Sequence, residues 1–92
     1  MTTKPTPTDD QPELRALGLA LRELRDRAGL SQSALAAKAG TDHTYVSRVE
    51  HGRIDLRWRT LLRLLEALDA TVWDLGVMVR EQNSRPSGPR HE

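Results

Sequence analysis

The sequence predicts an all-α fold of five short helices, and three observations predict it. Apolar residues recur at three- and four-residue steps through the middle of the chain. Residues that cap helices stand at the breaks between these periodic stretches, with Ser, Asp or Thr at the start and Gly at the end. No apolar–polar alternation of the kind a strand needs competes with them before Thr71.

The ends of the chain set the size of the domain. Residues 1–12 hold three prolines and four threonines, and Met1 is their one apolar residue. Residues 82–92 hold two prolines, a glycine and no large apolar side chain. Both are expected to be flexible tails, which leaves the 69 residues 13–81 as the folded domain. A domain that small buries only about 60% of its unfolded surface and often gains stability by dimerising.

Within the domain each helix has its own signature. Leu14, Leu17, Leu21, Leu24 and Ala28 form one apolar stripe among charged residues, closed by Gly29 as a left-handed cap. Ser31 caps a second helix, Gln32 to Ala39, and Leu30 can staple across that cap onto Leu35. Its four alanines make it slim, so a neighbouring helix can approach closely. Gly40 ends it, Asp42 caps a third helix running from about His43 to His51, and Gly52 ends that one. After a loop at 53–57, a fourth helix is read with Trp58, Leu61, Leu62, Leu65 and Leu68 on one face. Thr71 and Asp74 have the spacing of a capping box for a fifth, whose valine-rich body, 72–80, reads as helix over strand.

Composition excludes several classes of function. Without cysteine there is no disulfide framework and no thiolate metal site, which suits a reducing cytoplasm. No apolar run approaches the roughly 18 residues of a membrane span, and the N-terminus lacks the pattern of a secretory signal. The leucines of the basic stretch 57–65 are expected in the core and not in a membrane surface. His43 and His51 stand two helical turns apart, about 12 Å by helix rise, too far to share a metal ion. Ser47 and His51, one turn apart, lack the pocket and oxyanion hole that a catalytic dyad needs. No enzyme activity and no cofactor are expected.

Net charge is only +1, but it is unevenly spread. Residues 48–63 carry five arginines against Glu50 and Asp55, a balance of +3, whereas residues 64–81 carry −3. The basic half begins in the last turn of the third helix. Two short helices joined by a glycine-containing turn, here 32–51, form a helix-turn-helix, whose second helix can enter a DNA major groove.

The stretch from Gly29 to Gly40, followed by Tyr45-Val46-Ser47-Arg48-Val49-Glu50-His51-Gly52, closely resembles the Cro/cI-type (XRE) helix-turn-helix family. Thr60 to Leu68 resembles that family's fourth helix, and the likeness spans roughly Leu14 to Leu75. It implies a five-helix lambda-repressor-like DNA-binding domain. The run Asp42 to Ser47, with Asp55 to Trp58, further resembles the controller proteins of restriction–modification systems. Three positions depart from the family pattern: Thr41 replaces an apolar residue, Asp69 a glycine, and Arg57 a capping Ser or Thr.

The candidate contacts follow. With Val46 and Val49 turned inward, His43, Thr44, Ser47, Arg48 and His51 share the opposite arc of the third helix and face bases and phosphates. Arg48 can offer a guanine two parallel N–H donors. Gln32, at a helix N-terminus, is suited to a phosphate, a role the resemblance also implies. Arg53 and Arg57, with Arg59 beside them, are candidates for the sugar–phosphate backbone. For the residues of the third helix the alternative is a merely solvated face, for Gln32 a simple polar first-turn residue, and for the arginines a charged loop balancing Asp55. The resemblance implies that Glu50 pairs instead with Arg25 of the first helix. Trp73, Val77 and Met78 exceed what a small core requires, and are read as a dimer interface or as completing that core.

These expectations combine into a cytoplasmic, homodimeric regulator of transcription that reads an inverted-repeat operator in double-stranded DNA. Two alternatives use the same scaffold: an antitoxin that represses its own operon and binds a toxin partner, and an adaptor that has lost DNA binding.

Overall fold

A computed structural model describes residues 11–84 as five helices: α1 (Pro12–Arg27), α2 (Gln32–Ala39), α3 (His43–Glu50), α4 (Trp58–Ala67) and α5 (Val72–Ser84). The all-α reading holds among the described residues, and α5 is helix. The expected tails fall mostly outside the described residues. At their inner edges the structure corrects them, since α1 opens with Pro12 at its first position and α5 carries on through Gln82, Asn83 and Ser84. Pro12 suits a first turn, whose N–H has no helical acceptor in any case.

The helices pack in a closed ring: α1 on α3, α3 on α2, α2 on α4, α4 on α5, and α5 back on α1. Leu21, Leu35, Val46 and Leu64, one side chain from each of four helices, are fully buried at its centre. Leu75 and Met78 of α5 complete the core. No described helix is long and apolar enough to cross a membrane.

The apolar face of α4 differs from the one expected. Leu64, Leu65 and Leu68 are buried and Leu61 is half-buried, whereas Leu62 is exposed and Trp58 is 60% exposed. Trp58 stands at the first position of α4, beyond the reach of the ring, and Leu62 lies one turn further along the same outward line.

Caps define where each helix begins. Ser31 Oγ accepts from Ala34 N–H at 3.0 Å, and Asp42 Oδ1 accepts from Tyr45 N–H at 2.8 Å. At α5 the capping box is complete, with Asp74 Oδ2 accepting from Thr71 N–H at 2.8 Å and Thr71 Oγ1 accepting from Asp74 N–H at 3.0 Å. The bonds from Thr71 hold the Asp74 carboxyl below its ordinary pKa. A depressed carboxyl stabilises the folded state above the unfolded pKa, and that contribution is lost as pH falls through the lower folded value. Arg57 precedes α4 without a side-chain capping bond, as its identity implies.

One device ends four of the helices. A residue with positive φ lets the next backbone N–H reach back to the carbonyl five residues earlier: Leu30 to Arg25, Thr41 to Ala36, Arg53 to Arg48 and Ala70 to Leu65, at 2.9–3.2 Å. The left-handed residue is glycine in the first three and Asp69, at φ 56°, in the fourth. At Asp69 the chain therefore takes the same left-handed turn as at its glycines and accepts the strain glycine would avoid.

Gly18, in the middle of α1, is the close contact of the structure. A Cβ there would stand 2.4 Å from the carbonyl oxygen of Val49 and 2.6 Å from that of Glu50. The backbones of α1 and α3 thus touch at the last turn of α3. Glycine inside a helix ordinarily costs roughly 0.5–1 kcal/mol relative to alanine, so Gly18→Ala would stabilise a free-standing helix. Here the sign reverses: urea unfolding of Gly18→Ala should show a loss of about 1–3 kcal/mol from overpacking. A gain in stability would show that α1 and α3 are not in backbone contact.

Candidate nucleic-acid interface

On α3, Val46, Val49 and Glu50 are buried and Tyr45 packs partly against the core. His43, Thr44, Arg48 and His51 are exposed and Ser47 partly so. At 3.6 residues per turn these five occupy an arc of about 140°. The structure therefore brings the expected α3 residues onto one face. Ser47 and His51 do meet, through the backbone: His51 Nδ1 lies 2.7 Å from the Ser47 carbonyl. A carbonyl can only accept, so Nδ1 carries the proton and Nε2 is left facing outward. Ser47 keeps its hydroxyl.

Arg53 and Arg57 follow in the exposed loop, and Arg59 and Arg63 continue along the outer side of α4. Among the described residues none of these arginines, nor Arg48, is ion-paired. In particular none balances Asp55. The positive charge of residues 48–63 is left for an outside partner.

Gln32 stands at the helix start where it was expected. It opens α2, but its Nε2 donates to Glu50 Oε1 at 2.9 Å and the side chain is half-buried. That carboxylate is the centre of a buried cluster. Arg25 Nε donates to Glu50 Oε2 at 2.6 Å and Arg25 Nη2 to Glu50 Oε1 at 3.0 Å, a two-pronged pair with both residues under 10% exposed. Arg25 Nη1 also donates to the Leu30 carbonyl at 2.9 Å. The hydrogen bond to Glu50 is the main reason the Arg25 guanidinium is held above its usual pKa. One carboxylate thus joins α1, α2 and α3. The sequence reading has the Arg25 partner but not Gln32, because an exposed helix start gives no sign that its first side chain folds inward.

Of the three candidate dimer residues, the structure separates one. Met78 is 5% exposed and belongs to the core, so it is not available to a partner. Trp73 is 79% exposed and Val77 40%, and together with Val72, Gly76 and Arg80 they line a shallow apolar groove along the outside of α5. The i, i+3, i+4 spacing of Trp73, Gly76 and Val77 marks the outer stripe, and that of Leu75 and Met78 the inner one. Two residues missed by the sequence reading are Gly18, legible as the centre of a small-residue run with Ala16 and Ala20, and Arg22, which shares an outward line with Arg15 and Leu19. Among the described residues no group of three or more His, Asp or Glu side chains is placed to hold a metal ion.

A capped α2, a left-handed turn at Gly40, and an α3 that exposes a polar arc over a buried valine seam define a helix-turn-helix protein. Comparison with known proteins gives the family: the model of the helix-turn-helix domain matches residues 16–75, and the chain belongs to that family. A Neisseria meningitidis serogroup B protein, described as a hypothetical transcription factor, is 35% identical over 79% of this chain and 70% of its own length. The crystal structure of the restriction-modification controller protein C.AhdI from Aeromonas hydrophila is 41% identical, with a TM-score of 0.67 over 68% of this chain and 91% of that one. The clp gene regulator ClgR from C. glutamicum is 27% identical, with a TM-score of 0.74 over 84% of this chain and 97% of that one. The likeness to controller proteins read from residues 42–47 and 55–58 is thus found again in the fold.

Removing one member of the buried cluster tests its role. Glu50→Ala leaves the Arg25 charge buried and alone, and should cost about 3–5 kcal/mol in chemical unfolding. Arg25→Met combined with Glu50→Leu removes both charges and should recover most of that loss. A single Glu50→Ala change costing under 1 kcal/mol would show the cluster to be a surface pair of little weight.

Proposed function

We propose that this protein is a sequence-specific, double-stranded-DNA-binding regulator of transcription that works as a homodimer. The observation that carries the reading is the outer face of α3, exposed and polar over about 140° and continued by arginines that have no carboxylate partner among the described residues. Eight residues of helix span about 12 Å, which matches the width of the major groove. In this reading Thr44, Ser47 and Arg48 meet base edges, and His43 and His51 flank them. The first turn of α2, with Gln32, lies over one phosphate strand, and Arg53 and Arg57 grip the other. The acidic segment 64–81 faces away from the duplex. Regulation follows from occupancy, by blocking polymerase at a promoter or recruiting it beside one.

The outer stripe of α5 supports the dimer. One recognition helix reads only a few base pairs, whereas two related by a two-fold axis read half-sites about 34 Å apart. Trp73 and Val77 are the anchors, Trp73 offering the largest exposed apolar surface among the described residues.

The two kinds of DNA contact separate in binding titrations against a preferred and an unrelated duplex. Arg48→Ala should weaken the preferred site selectively, by about 1–3 kcal/mol. Arg53→Ala or Arg57→Ala should weaken both duplexes alike and flatten the salt dependence by about one unit. Equal losses from Arg48→Ala on both duplexes would remove Arg48 from base reading.

The interface has its own check in light scattering. Val77→Asp or Trp73→Ala should give monomers that bind DNA poorly. Met78→Ala should instead cost about 2–5 kcal/mol of stability and leave the oligomeric state of the folded fraction unchanged. A Val77→Asp chain that stays dimeric would place the interface elsewhere.

A further inference from the structure

Beside the recognition helix lies a cleft of about 200 Å³ formed by Arg15, Leu19 and Arg22 of α1 together with Gln32, Glu50 and His51. Its floor is the Glu50 carboxylate, whose charge is already met by the Arg25 guanidinium and whose Oε1 also takes the Gln32 amide. Its rim is cationic and open. The charged side chains that end α1 differ in what they do: Arg25 is bound to Glu50, and Arg27 Nε lies 3.3 Å from Glu23 Oε2. Arg22 is exposed and has no ion pair or hydrogen bond among the described residues. It lines the same cleft as Gln32 of α2 and His51, which follows α3.

We propose that this cleft is a phosphate-binding site in which Arg22 of α1, with Gln32 of α2, grips the DNA backbone outside the base-reading arc. The inference rests on the DNA-binding reading above and adds α1 as a third element that touches the duplex. The chemistry fits a phosphodiester. A guanidinium offers paired N–H donors to two phosphate oxygens. The Gln32 amide has a second N–H beyond the one given to Glu50, and the first-turn backbone of α2 presents further donors. Because the floor carboxylate is neutralised by Arg25, an anion above it meets no bare negative charge. A base edge has no place in the cleft, since its donors come from two different helices and surround a point, not a plane. Arg22 therefore supplies affinity and register and does not discriminate sequence.

The test is a salt titration of binding to the preferred and to an unrelated duplex, using full-length protein. Arg22→Ala should weaken both duplexes several-fold and alike, and lower the slope of log affinity against log salt by about 0.9, one phosphate's worth. Arg22→Lys should restore most of the slope, since it keeps the charge. Arg27→Ala, on the same helix but paired with Glu23, should bind as the unaltered protein does. If Arg22→Ala keeps the full salt slope, the cleft does not hold a phosphate. If it changes the ratio between the two duplexes, Arg22 reads bases and the inference is equally overturned. Failure of the unaltered protein to bind either duplex would defeat the DNA-binding reading itself, and this inference with it, which is a different result from a normal protein with an indifferent Arg22.

Discussion

The buried carboxylate of Glu50 is the point on which the exposed face of α3 depends. It stands at the end of α3 and takes two bonds from Arg25 of α1 and one from Gln32 of α2. An ion pair in this setting is a weak source of net stability, because desolvation offsets most of the attraction. What it supplies is geometry. The guanidinium and carboxylate planes meet at two points, so α3 can neither turn about its axis nor slide along α1 without leaving a buried charge unpaired. The arc of α3 that faces outward is thereby set by residues that do not themselves face outward.

Backbone packing reinforces this from the other side. At Gly18 the absent side chain lets α1 come down on the carbonyls of Val49 and Glu50, and Gly52 brings the chain after α3 close to the backbone of Arg15, where a Cβ would stand 2.9 Å from it. Hydrogen bonds at Ser31, Asp42 and the left-handed turns fix where α2 and α3 start and stop. A helix of eight residues such as α3 has little propensity to hold itself together alone. Its order comes from the caps at its ends and from the helices it is clamped against.

Much of this was legible in the sequence, and the reasons it was differ by element. Capping residues and left-handed glycines act locally, so the limits of α2 follow from Ser31 and Gly40 alone, and Asp69 betrays its positive φ by standing where a glycine is usual. The apolar periods of α1 and α3 are unambiguous. That of α4 is not, because leucine fills both Leu61-Leu62 and Leu64-Leu65, and only the packing on α2 and α5 selects the second pair as the buried one. Met78 is left open between core and interface for a similar reason: α5 is apolar on two sides, and which side faces α1 is a tertiary decision. Gln32 and Arg22 are the hardest, since what separates them from other polar helix residues is the cleft between α1, α2 and α3, which exists only once the three are assembled.

The central claim is that the outer face of α3 reads sequence in double-stranded DNA, two copies at a time. The most direct measurement is selection from a random duplex library near physiological salt, followed by sequencing of the bound pool. The account predicts enrichment of an inverted repeat whose half-site centres lie about one helical turn, roughly 10 base pairs, apart or a multiple of it. A bound pool with the same composition as the starting library would contradict it.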